Sequence, residues 1–141
     1  MGIFNGMNTS ASGLTAQRLR MDIISNNIAN VNTTKDENGE YYKRKMPVFA
    51  TKLNEEIGKL SKGEQISNGV KVKEIKESGE PPRLVYKPTH PDANEDGYVK
   101  KPNINIVSEM TDMISATRAY EANVTALNSS KSIIESALNI G

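Results

Sequence analysis

Residues 103–140 contain neither glycine nor proline, and Pro102 stands immediately before them. A stretch that lacks the two strongest helix breakers, with a proline at its threshold, can run as one uninterrupted helix. Its apolar residues keep helical time. Ile106, Met113, Tyr120, Leu127 and Ile134 recur every seven residues. Met110, Val124 and Leu138 take the interleaved position, Thr117 and Lys131 interrupt it, and Val107 and Ile114 widen the stripe. The spacing predicts a helix over 104–139, roughly 50 Å long at about 1.5 Å per residue, with a coiled-coil-like seam.

The other end of the chain has the same period. Met7, Leu14, Met21 and Ile28 share one heptad position, and Ile3, Ile24 and Val31 share the complementary one with Ser10 and Gln17. A second helix is predicted over residues 4–30. Folded back antiparallel, it would bring Leu127 level with Leu14 and Met21 level with Tyr120. Between the helices the composition changes. All six prolines and most of the glycines fall in residues 34–103. Asn38-Gly39 reads as a turn after the first helix. EQISNGVKVKEI reads as strand, Asn-Gly turn, strand; PPRLVYKP reads as a strand bounded by prolines; MPVFA reads as a further strand. KLNEEIGKLSKG reads as a short helix or turn. The expected fold is mainly α: two long terminal helices in a hairpin (residues 1–33 and 104–141) around a small β-containing insert (34–103).

Such a hairpin is short of apolar material. Hydrophobic residues make up 36% of the chain, aromatics 5%, and tryptophan is absent. Two helices with one seam bury too little to offset the entropy of ordering them. The seam is therefore expected to continue onto other chains, because the sequence offers no further helix as a neighbour.

The first helix closes on SNNIANVNT, with Asn26, Asn27, Asn30 and Asn32 within seven positions. Asparagine is a poor residue for a helix interior. At a helix end its carboxamide both donates and accepts, so it can satisfy the last free carbonyls, bond to a neighbouring chain without charge, or fix register as a polar residue in an apolar seam.

Little else points to chemistry. Eighteen basic and seventeen acidic residues leave a net charge of +1, so no strong field is present to hold nucleic acid or an anionic membrane. The cluster Lys43-Arg44-Lys45 follows Tyr41 and Tyr42, but Asp36, Glu37 and Glu40 offset it, and it reads as a solvated strand face. No apolar run reaches the ~20 residues needed to cross a bilayer, so no membrane insertion is expected. MGIFNGMNTSASG lacks a basic leader and an apolar core, so no cleavable signal is expected. There is no cysteine and a single histidine, His90, which excludes thiolate chemistry and the usual zinc sites. HPDANEDGYV places Asp92, Asn94 and Asp96 before Gly97 in the manner of a calcium loop, but Asn103 stands where the bidentate glutamate belongs. No nucleophile elbow, phosphate-binding glycine loop or paired carboxylates stand out. The residues predict no catalysis, no cofactor and no metal.

SGLTAQRLRMDIISNNIANVNT resembles the N-terminal signature of bacterial flagellar axial proteins, the rod, hook and hook-associated subunits. SEMTDMISATRAYEANVTALNSSKSIIESALNIG resembles their C-terminal helix, and THPDANEDGYVKKPNINIVSEM is similar to the signature of proximal rod proteins of the FlgC type. DANED departs from the more acidic run common there. The resemblance implies a structural subunit of the basal-body rod. Its terminal helices would pack with other copies and other rod proteins into a torque-transmitting shaft across the periplasm and cell wall, after export through the flagellar type III apparatus. The absence of cysteine and of a cleavable signal agrees with that route. On this reading the assembly residues are Met7, Leu14, Met21, Ile24, Asn27, Ile28, Asn30 and Asn32 on the first helix. On the second they are Ile106, Met110, Met113, Ile114, Tyr120, Val124, Leu127, Ile134 and Leu138. The alternatives are a different flagellar axial component, against which GYVKKPNINIV argues, and a soluble calcium-regulated helical adaptor.

Overall fold

A computed structural model describes residues 3–35, 39–53 and 67–140. Helix α1 spans Ile3–Ala29 and helix α2 spans Ile106–Asn139. Among the described residues four strands lie between them, β1 (Lys45–Leu53), β2 (Ser67–Glu77), β3 (Arg83–Tyr86) and β4 (Tyr98–Lys101). They form two separate antiparallel hairpins, β1 with β2 and β3 with β4. The architecture is two terminal helices with a small antiparallel β insert.

Both helices start and stop near where the heptads place them. Asn105 caps α2: its side chain accepts from the main-chain N–H groups of Val107 and Ser108, so the helix opens two residues later than the spacing predicts. The helices run antiparallel, and Arg20 pairs with Asp112, Met21 meets Thr117, and Gly13 lies against Asn123. This register is about one helical turn from the predicted one, in which Met21 faced Tyr120.

The chain does supply a neighbour for the helix pair, contrary to expectation. The β1–β2 hairpin packs on α1 and covers a second side of it. Ala16 and Ile23 are buried in α1, and Ser12, Thr15 and Leu19 line the cleft shared with Val70 and Val72 of β2. Among the described residues the core stays small: Ala16, Ile23, Ile24, Val99, Ile104 and Ala116.

Three readings of the insert need correction. Asn68-Gly69 is not a hairpin turn; both residues lie within β2, whose partner is β1. Gly69 has φ +108°, and a Cβ there would collide with Ser12 Oγ, so the glycine serves a close approach of strand to helix. Val70 N–H donates to that same hydroxyl at 3.1 Å. Strand β4 was not anticipated, because YVKK pairs with β3 across an eleven-residue loop that carries no strand pattern. The third concerns the basic cluster, where Arg44 turns inward rather than lying on a solvated face. Pro47 is tolerated inside β1 because a two-stranded sheet has only edges. Most of the predicted KLNEEIGKLSKG element, and Asn38 of the predicted turn, lie outside the described residues; Gly39 has φ +81°.

Candidate assembly surface

The asparagine-rich end of α1 is a knot that joins three elements. Asn27 is 1% exposed and uses its whole carboxamide. Its Nδ2 donates to the carbonyl of Lys45 at 2.8 Å and to Glu109 Oε2 at 3.0 Å. Its Oδ1 accepts from Lys45 N–H at 2.9 Å and from Tyr42 Oη at 3.1 Å. Two donors and two acceptor positions are all satisfied. Glu109 is buried to the same degree, and its Oε1 receives Arg44 Nε at 2.7 Å and Nη2 at 2.6 Å. A buried carboxylate is tolerable because a guanidinium and an amide complete it. Burial first, then the Glu109 carboxylate, raise the Tyr42 phenol above its ordinary value.

The other asparagines divide the labour. Asn26 Nδ2 donates to the Asp22 carbonyl inside α1, and Asn30 Nδ2 donates to the Asn26 carbonyl, which also accepts from Asn30 N–H, so both side chains bond one turn back along the chain rather than finishing free helix carbonyls. Asn30 Oδ1 accepts from Thr33, and Asn32 Oδ1 accepts from Lys101 of β4. Asn27 is committed within the chain and has no valence left for a neighbour.

The side of α2 that loses most exposure runs Glu109, Met113, Ala116, Tyr120, Asn123, Leu127, Ser130, Ile134, alternating steps of four and three. Four members of one predicted series lie on this side and are half-buried, Met113, Tyr120, Leu127 and Ile134, whereas its first member, Ile106, is exposed. Of the interleaved series, Thr117 touches Met21 and Val124 is half-buried, whereas Met110 and Leu138 are exposed. Glu109, Ala116, Asn123 and Ser130 line the seam instead of the larger apolar residues, because small or hydrogen-bonded residues let the helices approach. Val107 is 72% exposed, Met110 55% and Ile114 55%. With Ile106 they form an outward apolar stripe on the first two turns of α2, and Leu138 is exposed near its end. On α1, Ile24 is buried, and Met7, Leu14, Met21 and Ile28 are half-buried along a flank of the seam. Val124 is half-buried as well, and Asn32 is exposed.

The loop between β3 and β4 is held by its own polar groups. Asp92 accepts from Thr34 Oγ1 at 2.6 Å and pairs with Lys35 at 3.0 Å, which ties the segment after α1 to this loop. The Thr34 hydroxyl, then Lys35, hold its carboxyl below the ordinary value. His90 Nδ1 accepts from Asp92 N–H, and Asn94 Oδ1 accepts from Tyr98 N–H. Asn103 donates to Glu80. Each side chain that a calcium loop would turn toward an ion, apart from Asp96, is thus engaged elsewhere. Among the described residues no three His, Cys, Asp or Glu side chains gather as metal ligands, and no helix is long and apolar enough to cross a membrane.

Sequence reasoning missed Glu109, Arg44, Tyr42 and Ser12. Glu109 carried one legible signal, a charge seven residues before Ala116 and fourteen before Asn123 in the series that proves to be the seam.

Comparison with known proteins agrees with this arrangement. Residues 7–35, most of α1 and its asparagine knot, match the family model described as Flagella basal body rod protein. Residues 95–140, from β4 through α2, match that described as Flagellar basal body rod FlgEFG protein C-terminal. The Flagellar basal-body rod protein FlgC of Borreliella burgdorferi is 48% identical, with 99% of this chain and 98% of that protein covered. Its counterpart in Bacillus subtilis is 48% identical over 100% and 99% of the two chains. That of Salmonella typhimurium is 36% identical over 100% and 99%. Matched from end to end by these relatives, the chain belongs to the FlgC family of flagellar basal-body rod proteins, structural subunits of the rod and not enzymes.

Proposed function

We propose that this subunit builds the proximal part of the rod through its terminal helices, with residues 1–33 and 104–141 as the assembling part and 34–103 as an insert braced against them. The observation that carries the reading is the outward stripe of Ile106, Val107, Met110 and Ile114 on α2, on a side that the chain's own α1 does not cover. Large apolar side chains in a continuous exposed row mark a surface meant for burial. Helices of further copies and of other rod proteins would complete the layers around it in coiled-coil fashion. Met7, Leu14, Met21 and Ile28 would supply the facing flank of α1. Stiff interlocked helices would carry torque along the shaft, which crosses the periplasm and cell wall. The chain would reach that place unfolded, through the flagellar type III export apparatus.

Met110→Glu with Ile114→Glu tests this reading. Both positions are exposed, so the isolated chain is expected to keep its fold by circular dichroism. The strain is expected to be non-motile, with the protein secreted but missing from purified basal bodies. Normal swimming with the double variant present in the rod would overturn the reading.

A further inference from the structure

A helix seam that repeats every seven residues does not by itself choose between alignments seven residues apart. In the observed alignment Asn27 faces Glu109 and Gly13 faces Asn123. Arg20 and Gly6 belong to the same series on α1, and Ala116 and Ser130 to the same series on α2. Sliding α2 by one heptad offers two alternatives. In one direction Asn123 falls against Arg20, where a long side chain replaces the glycine notch; a Cβ at position 13 would already lie 3.0 Å from the Asn123 amide. That alignment excludes itself. In the other direction Asn123 falls against Gly6, Ala116 against Gly13 and Glu109 against Arg20. The notch is kept, the small residues still face each other, and Glu109 still finds a cation. Nothing in the apolar pattern rejects this competitor.

We infer that Asn27 is the register lock of the hairpin: it is the residue that rejects the competing alignment of α1 and α2. In that alignment Asn27 would lie level with Pro102, which precedes α2 and offers no side-chain hydrogen bond. Glu109 would leave both the Asn27 amide and Arg44. Asn27 also cannot follow the slide, because Lys45 N–H, the Lys45 carbonyl and Tyr42 Oη hold it to the start of β1. The carboxamide therefore refers the position of α2 to the sheet as well as to α1. The consequence reaches the surface. A slide of seven residues, about 10 Å, would displace the outward stripe of α2 against the flank of α1 and so change the composite face shown to any partner. The lock concerns the chain's own hairpin, and its test is independent of how subunits assemble.

The chain has no cysteine, so engineered pairs report alignment directly. Gly13→Cys with Asn123→Cys reads the observed register, and Gly6→Cys with Asn123→Cys, which keeps the notch at Gly13, reads the competitor. With Asn27 present, oxidation is expected to favour the first pair. Asn27→Leu, which leaves Glu109 and Arg20 in place, is expected to raise the 6–123 disulfide relative to 13–123 by about tenfold or more, the effect of denying a buried carboxylate its matched donor. Should Asn27→Leu fail to fold, Asn27→Leu with Arg20→Asn decides, because it moves the carboxamide one heptad and is expected to give the 6–123 disulfide as the main product. A folded Asn27→Leu chain that still forms only 13–123 would overturn the inference. So would loss of helical circular dichroism in both variants, which would assign Asn27 to stability rather than to choice of register.

Discussion

Replacing Arg44 with methionine keeps an unbranched stem beside the helices and removes the guanidinium that lies 2.6 Å from Glu109 Oε1. Glu109 is 1% exposed, so water cannot take the vacated place. Breaking a buried pair from one side costs about 3–5 kcal/mol, most of it the desolvation of the charge left behind. Two features place this case at the lower end. The Arg44 side chain is 26% exposed, and Asn27 continues to donate to Oε2 at 3.0 Å. The expected loss is about 3 kcal/mol, which moves a urea midpoint down by roughly 1–3 M for a slope of about 1–3 kcal/mol/M. Far-UV circular dichroism at fixed pH and salt gives both numbers. Arg44→Met with Glu109→Gln leaves no buried charge and is expected to recover at least about 1 kcal/mol over Arg44→Met alone. A single variant within about 0.5 kcal/mol of the parent, or a double variant no better than the single, would refute the reasoning that Arg44 neutralises a buried carboxylate.

Gly69→Ala meets both a φ of +108° and the Ser12 hydroxyl, and is expected to cost about 1–3 kcal/mol, read as a thermal midpoint lowered by several degrees. Leu127→Lys falls on the α1-facing side of α2, so it is expected to lose about 1.5–3 kcal/mol of burial, weaken the hairpin in the isolated chain, and prevent incorporation into basal bodies while secretion persists; a variant found in the rod would contradict this. Asp92 has a carboxyl held below its ordinary value by Thr34 and Lys35, so its contribution to stability is present above an ordinary carboxylate pKa of about 3.9 and is lost as pH falls through the lower folded value. Thr34→Ala is expected to move the Asp92 midpoint upward in a carbon-13 carboxyl titration, and an unchanged midpoint would rule out the Thr34 hydrogen bond as the main cause.

The helices were legible because their signals are local. Residues 103–140 without glycine or proline, and heptads at both ends, bound α1 and α2 to within two residues. The strands next to Pro47 and Pro82 were legible for the same reason. What the seam is made of was harder to read. A count of large apolar residues selected Met110, Val124 and Leu138, whereas Ala116, Asn123 and Ser130 lie between the helices because they are small or carry their own hydrogen bonds. Asn68-Gly69 carried the usual hairpin signature, yet Gly69 is required by the approach of Ser12 from a helix more than fifty residues earlier. Arg44 and Glu109 are 65 residues apart, and no local pattern announces a pair formed only once the chain has folded. In SNNIANVNT only the local part was legible: Asn26 and Asn30 bond one turn back along the chain, while the role of Asn27 depends on Tyr42, Lys45 and Glu109.

The separation of 82 residues between Asn27 and Glu109 also bears on timing. A chain delivered from its N-terminus presents α1 and strands β1 to β4 before the segment carrying Glu109 and Ala116 arrives. Until then the carboxamide of Asn27 and the side chain of Ile24 have no cover from α2, and the long loop between them must still be closed. Closure of the hairpin is therefore a late event, set by when the last quarter of the chain becomes available rather than by how readily α1 forms a helix. If the chain is exported as proposed, late closure would keep it threadable for most of its passage.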